Sequence, residues 1–151
     1  MGLMQCKEWA KHTMKARIKW VQDAEFVGES GSGHSVVMDG PPEFGGANKG
    51  VRPMEMILLG LGGCTAFDVV LILKKSRQEV SDCVVELHAD RALQDPKVFK
   101  KIHIHFIVTG TDLKESMVQR AVNLSAEKYC SASIMLSKAV AITHDFEIIS
   151  V

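Results

Sequence analysis

The sequence has no Cys-x-x-Cys motif, and its four cysteines lie at the widely spaced positions 6, 64, 83 and 130. Zinc ribbons and thioredoxin-type motifs need cysteines separated by two residues, so the spacing excludes both. A secreted scaffold held by disulfides is usually shorter and richer in cysteine. We therefore expect free thiols in a reducing cytoplasm.

An excess of charge is also missing, because 18 Lys and Arg residues balance 18 Asp and Glu residues. General nucleic-acid binders and proteins drawn to anionic membranes carry a basic surface, so we expect neither kind of partner. A small molecule or a second copy of the chain is the expected partner. The first residues mix charged and polar side chains, which is unlike a secretory signal peptide.

The chain of 151 residues is 46% hydrophobic and 24% charged, as in ordinary globular proteins. This length fits one compact domain or one subunit of an intimate dimer. We predict a single domain over residues 1–151, with residues 1–14 as an N-terminal extension.

Alternation of apolar and polar residues predicts strands, and apolar positions at helical spacing predict helices. Two faces are predicted to point inward: Ala16, Ile18 and Trp20 on the first strand, and Ile102, Ile104, Phe106 and Val108 on the fifth. Thr111 or Asp112 is the expected cap of the second helix. The predicted strands are 15–21, 25–29, 34–38, 83–90, 99–109 and 141–149, and the predicted helices are 54–73, 112–128 and 131–139. Residues 39–52 are predicted to form a loop that is long enough to border a functional site. The order β-β-β-α-β-β-α-α-β predicts an α+β fold.

Residues 56–73 form the longest apolar run, with Asp68 as its one charge. A membrane span is disfavoured because the run is barely long enough, contains three glycines and carries a charge near its middle. A helix this apolar on every side has to be surrounded by protein. We expect a central core helix, covered by a sheet or by a second subunit.

Cys64 follows Gly62 and Gly63 inside this helix, and Cys130 lies at the predicted start of a short helix. Cys64 is either a small core hydrophobe or part of a site. The two glycines favour a site, because glycine costs stability in a helix interior and indicates that another backbone or a ligand approaches closely. Cys130 is either a capping residue or a reactive thiol whose pKa the helix N-terminus would lower.

Residues 52–56 (RPMEM), followed by apolar and small residues up to Cys64, resemble the OsmC/Ohr pattern in which a Pro-Glu element opens a central helix with a peroxidatic Cys. Residues 126–131 (AEKYCS) resemble the segment that carries the second, resolving Cys, here Cys130. With the order of elements, the resemblance covers the chain from about residue 15. It is nearer to an OsmC-like branch than to the Ohr enzymes.

This resemblance implies an OsmC-like fold, with antiparallel sheets wrapped around a long apolar central helix in an intertwined homodimer. It implies a bacterial, cytoplasmic oxidative-stress protein that reduces organic hydroperoxides as a thiol-dependent peroxidase. Cys64 would attack the peroxide, its sulfenic acid would condense with Cys130, and a dithiol such as a lipoylated protein would reduce the disulfide. It implies no cofactor.

In Ohr enzymes an Arg and a Glu stabilise the reactive thiolate. The candidates here are Arg17, Arg52 and Glu55, none of which occupies the family's position. Asp68 lies one helical turn after Cys64, and its negative charge disfavours a neighbouring thiolate. These departures keep an alternative open: a catalytically weak OsmC-like binding or redox-sensing protein that holds an apolar ligand at the dimer interface.

The remaining candidates are histidines and the other two cysteines. His103 and His105 share one face of a strand, with His88 near them, but the sequence groups no acidic residue or cysteine with them. We therefore predict solvent-facing histidines and no metal site. Cys6 and Cys83 are predicted to be incidental, one near the chain end and one on the inward face of a strand.

Overall fold

The computed structural model describes residues 13–151, so the predictions for Cys6 and for most of the N-terminal extension lie outside the described residues. The chain divides into two compact units at Met56 and Ile57. The predicted order of strands and helices is confirmed. Its strands are β1 Ala16–Gln22, β2 Glu25–Ser30, β3 Ser35–Met38, β4 Glu79–Arg91, β5 Phe99–Thr111 and β6 Ala141–Ser150, and its helices are α1 Pro53–Lys75, α2 Glu115–Leu124 and α3 Ser131–Leu136.

The first unit contains an antiparallel sheet in the order β1-β2-β3. The turn before β3 uses Gly33 at a φ of 88°, a conformation that glycine adopts without a steric penalty. The expectation of a half-buried β1 is wrong for the single chain, because Ile18 and Trp20 are 59% and 61% exposed. The described residues of the first unit leave the apolar side of this strand uncovered.

The predicted loop after β3 is organised around Asp39, which is 2% exposed. Its carboxylate accepts hydrogen bonds from the backbone N–H groups of Gly40, Ala47 and Lys49 at 2.8, 2.9 and 3.0 Å. Donors to the charged form lower the pKa of Asp39 below its usual range. A single side chain therefore ties the two ends of the loop together.

Helix α1 begins at Pro53, where the missing proline N–H costs nothing, and Glu55 accepts a hydrogen bond from the backbone N–H of Arg52 at 2.8 Å. The helix is long and apolar enough to cross a membrane by length and composition. We expected α1 to be surrounded by protein, but the described residues cover only one side of this helix. Leu61, Val69 and Leu73 are buried, whereas Ile57, Leu59, Phe67 and Leu71 are exposed.

The second sheet has the order β4-β5-β6. Its inward residues on β5 are at most 2% exposed, as predicted: Ile102, Ile104, Phe106 and Val108. One pairing differs from the expected antiparallel sheets, because β6 runs parallel to β5. Two helices lie between these strands, and such a crossover returns the chain in the same direction.

The predicted second helix is two pieces, α2 and a π-helical turn at Ser125–Tyr129. The expected cap by Thr111 or Asp112 is wrong: the capping position is Lys114, without a side-chain cap. Thr111 ends β5, and Asp112 adopts a positive φ of 48° that no helix allows. The backbone N–H of Cys130 donates to the carbonyl of Ser125 at 2.9 Å and closes the π turn, which leads into α3.

Candidate active site

Cys64, Asp68 and Cys130 meet in the second unit. The two sulfur atoms and a carboxylate oxygen of Asp68 lie within 4.8 Å of one another. Cys64 and Asp68 share a face of α1 because they are four residues apart. Cys130 joins them from the junction between the π turn and α3. The structure thus brings together two cysteines separated by 66 positions in the sequence.

The glycines before Cys64 have different environments. A Cβ atom at Gly62 would lie 2.7 Å from Cδ1 of Leu87 on β4, so this glycine permits a close approach of α1 to the sheet. A Cβ atom at Gly63 would meet nothing within 4 Å among the described residues. A close approach is therefore found at Gly62, but the neighbour is a side chain and not the expected backbone or ligand, and no such approach is found at Gly63.

Cys130 is fully buried and occupies the N-cap position of α3, where its sulfur accepts a hydrogen bond from the backbone N–H of Ser133 at 3.3 Å. Burial, together with the neighbouring Cys64 and Asp68, raises the pKa of the Cys130 thiol to about 11, and the hydrogen bond from the Ser133 N–H offsets only part of this rise. Of the two alternatives that the sequence left open for Cys130, the structure supports the capping residue, and the pKa is not lowered because desolvation outweighs the helix terminus. Cys130 is therefore a protonated thiol near neutral pH.

A buried hydroxyl pair joins α1 to the π turn beside the thiols. Oγ1 of Thr65 and Oγ of Ser125 are 2.9 Å apart, and both residues are at most 2% exposed. The Ser125 hydroxyl also has two acceptors at 3.4 Å, the carbonyl of Thr65 and the carboxylate of Asp68. The sequence analysis missed Thr65, Ser125 and Ser133, since serine and threonine at these separations carry no pattern.

A groove of about 310 Å³ opens beside Asp68 in the second unit. Its walls combine apolar side chains with two cations and a tyrosine. The lining residues are Asp68, Leu71, Ile72, Lys75, Ser76, Arg120, Leu124 and Tyr129. A ligand with an apolar body has room to reach the carboxylate of Asp68 from this groove.

The other predicted supporting residues belong to the first unit and have local partners. Arg17 forms an exposed ion pair with Glu29 at 3.0 Å, worth at most about 1 kcal/mol. Arg52 donates from Nη1 to the carbonyl of Gly50 at 3.4 Å. The Glu55 carboxylate accepts the hydrogen bond from the backbone N–H of Arg52 at the start of α1. A role for Arg17, Arg52 or Glu55 in stabilising a thiolate stays a prediction.

His103 and His105 share the partly exposed face predicted for them, but they do have an acidic neighbour. Oδ1 of Asp145 is 3.2 Å from Nε2 of His103 and 2.5 Å from Nδ1 of His105. The parallel pairing of β6 with β5 places Asp145 opposite His105. The sequence analysis missed this neighbour because it predicted no register for β6. The hydrogen bond to Asp145 raises the pKa of His105.

Cys83 lies on β4, apart from the other thiols. It is partly buried, as predicted for an inward position. Burial, together with the charge of Asp82, raises its pKa to about 11. Its thiol is therefore protonated near neutral pH and has no partner in the cluster of Cys64, Asp68 and Cys130.

Comparison with known proteins gives a consistent result. A model of the family described as OsmC-like protein matches residues 46–145. Protein YhfA of Escherichia coli strain K12 is 53% identical over 137 residues, which cover 91% of this chain and 99% of YhfA. The crystal structure of a hypothetical protein from Aquifex aeolicus is 28% identical, with a TM-score of 0.82 over 93% of this chain and 98% of that one. The organic hydroperoxide resistance protein OhrB of Bacillus subtilis is 20% identical, with a TM-score of 0.62 over 91% of this chain and 99% of that one.

Proposed function

The chain belongs to the OsmC-like protein family, and from that premise we propose that it is a thiol-dependent peroxidase that reduces organic hydroperoxides. The observation that carries this proposal is the approach of the Cys64 and Cys130 sulfurs to within 4.8 Å. The shared fold with a protein named for organic hydroperoxide resistance supports the substrate class.

Differences in exposure support different roles for the two cysteines. Cys64 is partly exposed and Cys130 is fully buried, which favours Cys64 as the residue that a peroxide reaches first. The Cys64 thiolate attacks the O–O bond of ROOH and becomes a sulfenic acid, and the alkoxide leaves as ROH after taking one proton. Sulfur is oxidised by two electrons and the peroxide is reduced by two.

The resolving step forms a disulfide. The Cys130 sulfur displaces hydroxide from the Cys64 sulfenic acid, and the Cys130 thiol proton completes one molecule of water. The sulfurs lie within 4.8 Å of each other and have to close to about 2.05 Å when the disulfide forms. A dithiol, such as that of a lipoylated protein, then reduces the disulfide and is itself oxidised to a disulfide.

The groove beside Asp68 favours apolar substrates. Leu71, Ile72 and Leu124 contribute aliphatic surface to its wall, which suits alkyl or lipid hydroperoxides better than hydrogen peroxide. Asp68 limits the rate, because its charge and the burial of Cys130 both oppose a thiolate at the resolving sulfur. We therefore expect slow turnover.

The proposed assembly is a homodimer in the bacterial cytoplasm. Four large apolar side chains on α1, at positions 57, 59, 67 and 71, are between 39% and 68% exposed in the single chain. Apolar surface of this kind on one helix is typical of an interface between subunits. A second subunit would also cover the side of the central helix that the described chain leaves open.

A second candidate function has its own support. The raised pKa of Cys130 slows the resolving step, and the groove offers an apolar binding surface. A catalytically weak protein that binds an apolar ligand or senses oxidation fits these features. The ligand-binding form of this alternative differs from the peroxidase in what one equivalent of hydroperoxide does to the thiols, because its thiols stay reduced.

The deciding experiment is a peptide map of reduced protein treated with one equivalent of cumene hydroperoxide. We expect a Cys64–Cys130 disulfide, no peroxide consumption by Cys64→Ser, and a sulfenic acid on Cys64 that a dimedone probe traps in Cys130→Ser. Cys83→Ser is the matched control and should behave like the unmodified sequence. If both site cysteines stay reduced in folded protein, the peroxidase proposal fails and the binding protein replaces it.

A further inference from the structure

The cluster of Cys64, Asp68 and Cys130 has a composition that thiol peroxidase chemistry does not need. A peroxidase needs two sulfurs, yet here a carboxylate oxygen lies within 4.8 Å of both. A negative charge beside two thiols opposes the formation of thiolates. When a cation occupies the space between the three groups, thiolates are instead favoured, because each of the three groups is then a ligand of the cation.

We propose that the reduced protein binds one zinc-like divalent cation per chain through the sulfurs of Cys64 and Cys130 and a carboxylate oxygen of Asp68. The inference goes beyond the proposed peroxidase and does not depend on it. Two thiolates and one carboxylate form a donor set that suits Zn²⁺, which accepts sulfur and oxygen ligands together.

The spacing of the donors fits tetrahedral coordination. With zinc–sulfur bonds of about 2.3 Å, two sulfurs of a tetrahedral site lie about 3.8 Å apart. The observed limit of 4.8 Å between all three donor atoms is close to this value, so small rotations of the side chains complete the geometry. The helical spacing of Cys64 and Asp68 places two of the three ligands on one rigid element.

The groups around the donors favour a bound cation. The hydroxyl of Ser125 donates to the Asp68 carboxylate at 3.4 Å, and the N–H of Ser133 donates to the Cys130 sulfur at 3.3 Å. Such contacts orient ligands and are typical of protein metal sites. Lys75 and Arg120 line the groove next to Asp68 and offset the negative charge left after three anionic ligands bind a dication.

Three protein ligands leave the fourth tetrahedral position to water or a ligand. Asp68 belongs to the cluster and also lines the groove, so we expect this position to open toward the groove. The chemical class of ligand for this position is a small anion or a neutral oxygen donor attached to an apolar body.

The test uses the full chain with the substitutions Cys6→Ser and Cys83→Ser, so that only the two site thiols remain. Reduced, oxygen-free protein is titrated with Zn²⁺ in competition with a chromophoric chelator, and separately with Co²⁺. We expect one Zn²⁺ per chain and a thiolate-to-cobalt charge-transfer band. Cys64→Ser or Cys130→Ser should remove about half of that band's intensity and lower the zinc affinity, since each loses one thiolate.

Asp68→Asn tests the third ligand, and Asp82→Asn controls for the loss of one negative charge elsewhere. Asp68→Asn should lower the zinc affinity at least about tenfold, whereas Asp82→Asn should leave it unchanged. Circular dichroism verifies that each variant is folded. Absence of stoichiometric zinc binding, zinc binding without a thiolate band, or an Asp68→Asn protein with full affinity would each overturn the inference.

The outcomes separate this inference from the peroxidase proposal. Peroxide consumption is measured in excess chelator, and zinc binding is measured without peroxide. A protein that binds zinc through these residues but consumes no hydroperoxide keeps the metal site and loses the peroxidase. The opposite result keeps the peroxidase and removes the metal site.

Discussion

Cys64, Cys83 and Cys130 differ in exposure and in the charges around them, so a thiol reagent should distinguish them. Cys64 is partly exposed, Cys130 is fully buried, and burial raises the pKa of Cys83 and Cys130 to about 11. Fewer than about one in a thousand molecules of a thiol with such a pKa is ionised near neutral pH. The sequence offered both Cys64 and Cys130 as candidate reactive thiols, whereas the structure separates the two by exposure and pKa.

We predict that iodoacetamide alkylates Cys64 at least about tenfold faster than Cys83 or Cys130 in native, reduced protein near neutral pH. Mass spectrometry of peptides over a time course measures the three rates. In denaturant, where burial is lost, the three rates should converge, which serves as the control. Faster labelling of Cys83 than Cys64 in native protein would place the accessible thiol elsewhere.

Single residues with distinctive chemistry could be found from the sequence, and their supporting residues could not. Cys64, Cys130 and Asp68 stood out as a thiol after two glycines, a thiol at a helix start and a charge in an apolar run. Thr65 and Ser125 act only because tertiary folding brings them to 2.9 Å across 60 positions. No local pattern encodes that contact.

At the scale of elements, the π turn fixes the site, since Ser125 begins it and Cys130 follows it. We predict that Ser125→Ala lowers the free energy of unfolding by about 1–3 kcal/mol, because the buried Thr65 hydroxyl loses its partner. Thr65→Val should cost less, since Ser125 keeps two other acceptors at 3.4 Å. Urea unfolding measures both values.

The control for this pair is Ser137→Ala, which removes an exposed hydroxyl bonded to the carbonyl of Ile134 and should change stability by less than about 0.5 kcal/mol. Adding Thr65→Val to Ser125→Ala should cost little more than Ser125→Ala alone, because the unpaired hydroxyl disappears. Additive losses in the double variant would mean that the two hydroxyls do not interact.

The loop between β3 and α1 should respond to acid through Asp39. The folded state lowers the pKa of Asp39, so its contribution to stability is present above the unfolded pKa of about 3.9 and is lost as pH falls through the lower folded value. In an NMR titration, the amide signals of Ala47 and Lys49 should shift with a pH midpoint below the ordinary aspartate pKa of about 3.9. Asp39→Asn should remove that step, and Asp95→Asn, at an exposed position, should retain it. A midpoint at or above the ordinary value would contradict the hydrogen bonding of Asp39.

At the scale of the whole molecule, the sequence predicted the family and the order of elements, and both are confirmed. Alternation defined the strands because the inward residues of β5 are nearly inaccessible to solvent. Strand direction was not encoded in this way, since alternation is the same in parallel and antiparallel pairs, and β6 proved parallel to β5. The uncovered apolar residues of β1 and α1 fit their patterns only if another surface covers them.

The last prediction concerns that surface. Phe67 on α1 is 68% exposed in the single chain, one helical turn from Cys64 and one residue before Asp68. If a second subunit covers α1, Phe67→Glu places a charge in an apolar interface and should weaken the dimer at least about tenfold, as loss of a central aromatic anchor does. Sedimentation velocity over a concentration series measures the shift in the monomer–dimer equilibrium.

Leu93→Glu is the matched control, because Leu93 is 96% exposed in the β4–β5 loop. This substitution should leave the dimer intact. A monomer in the unmodified sequence at micromolar concentration would remove the dimer, and with it any site completed by a partner, while the contact between Cys64 and Cys130 within one chain would remain available for chemistry.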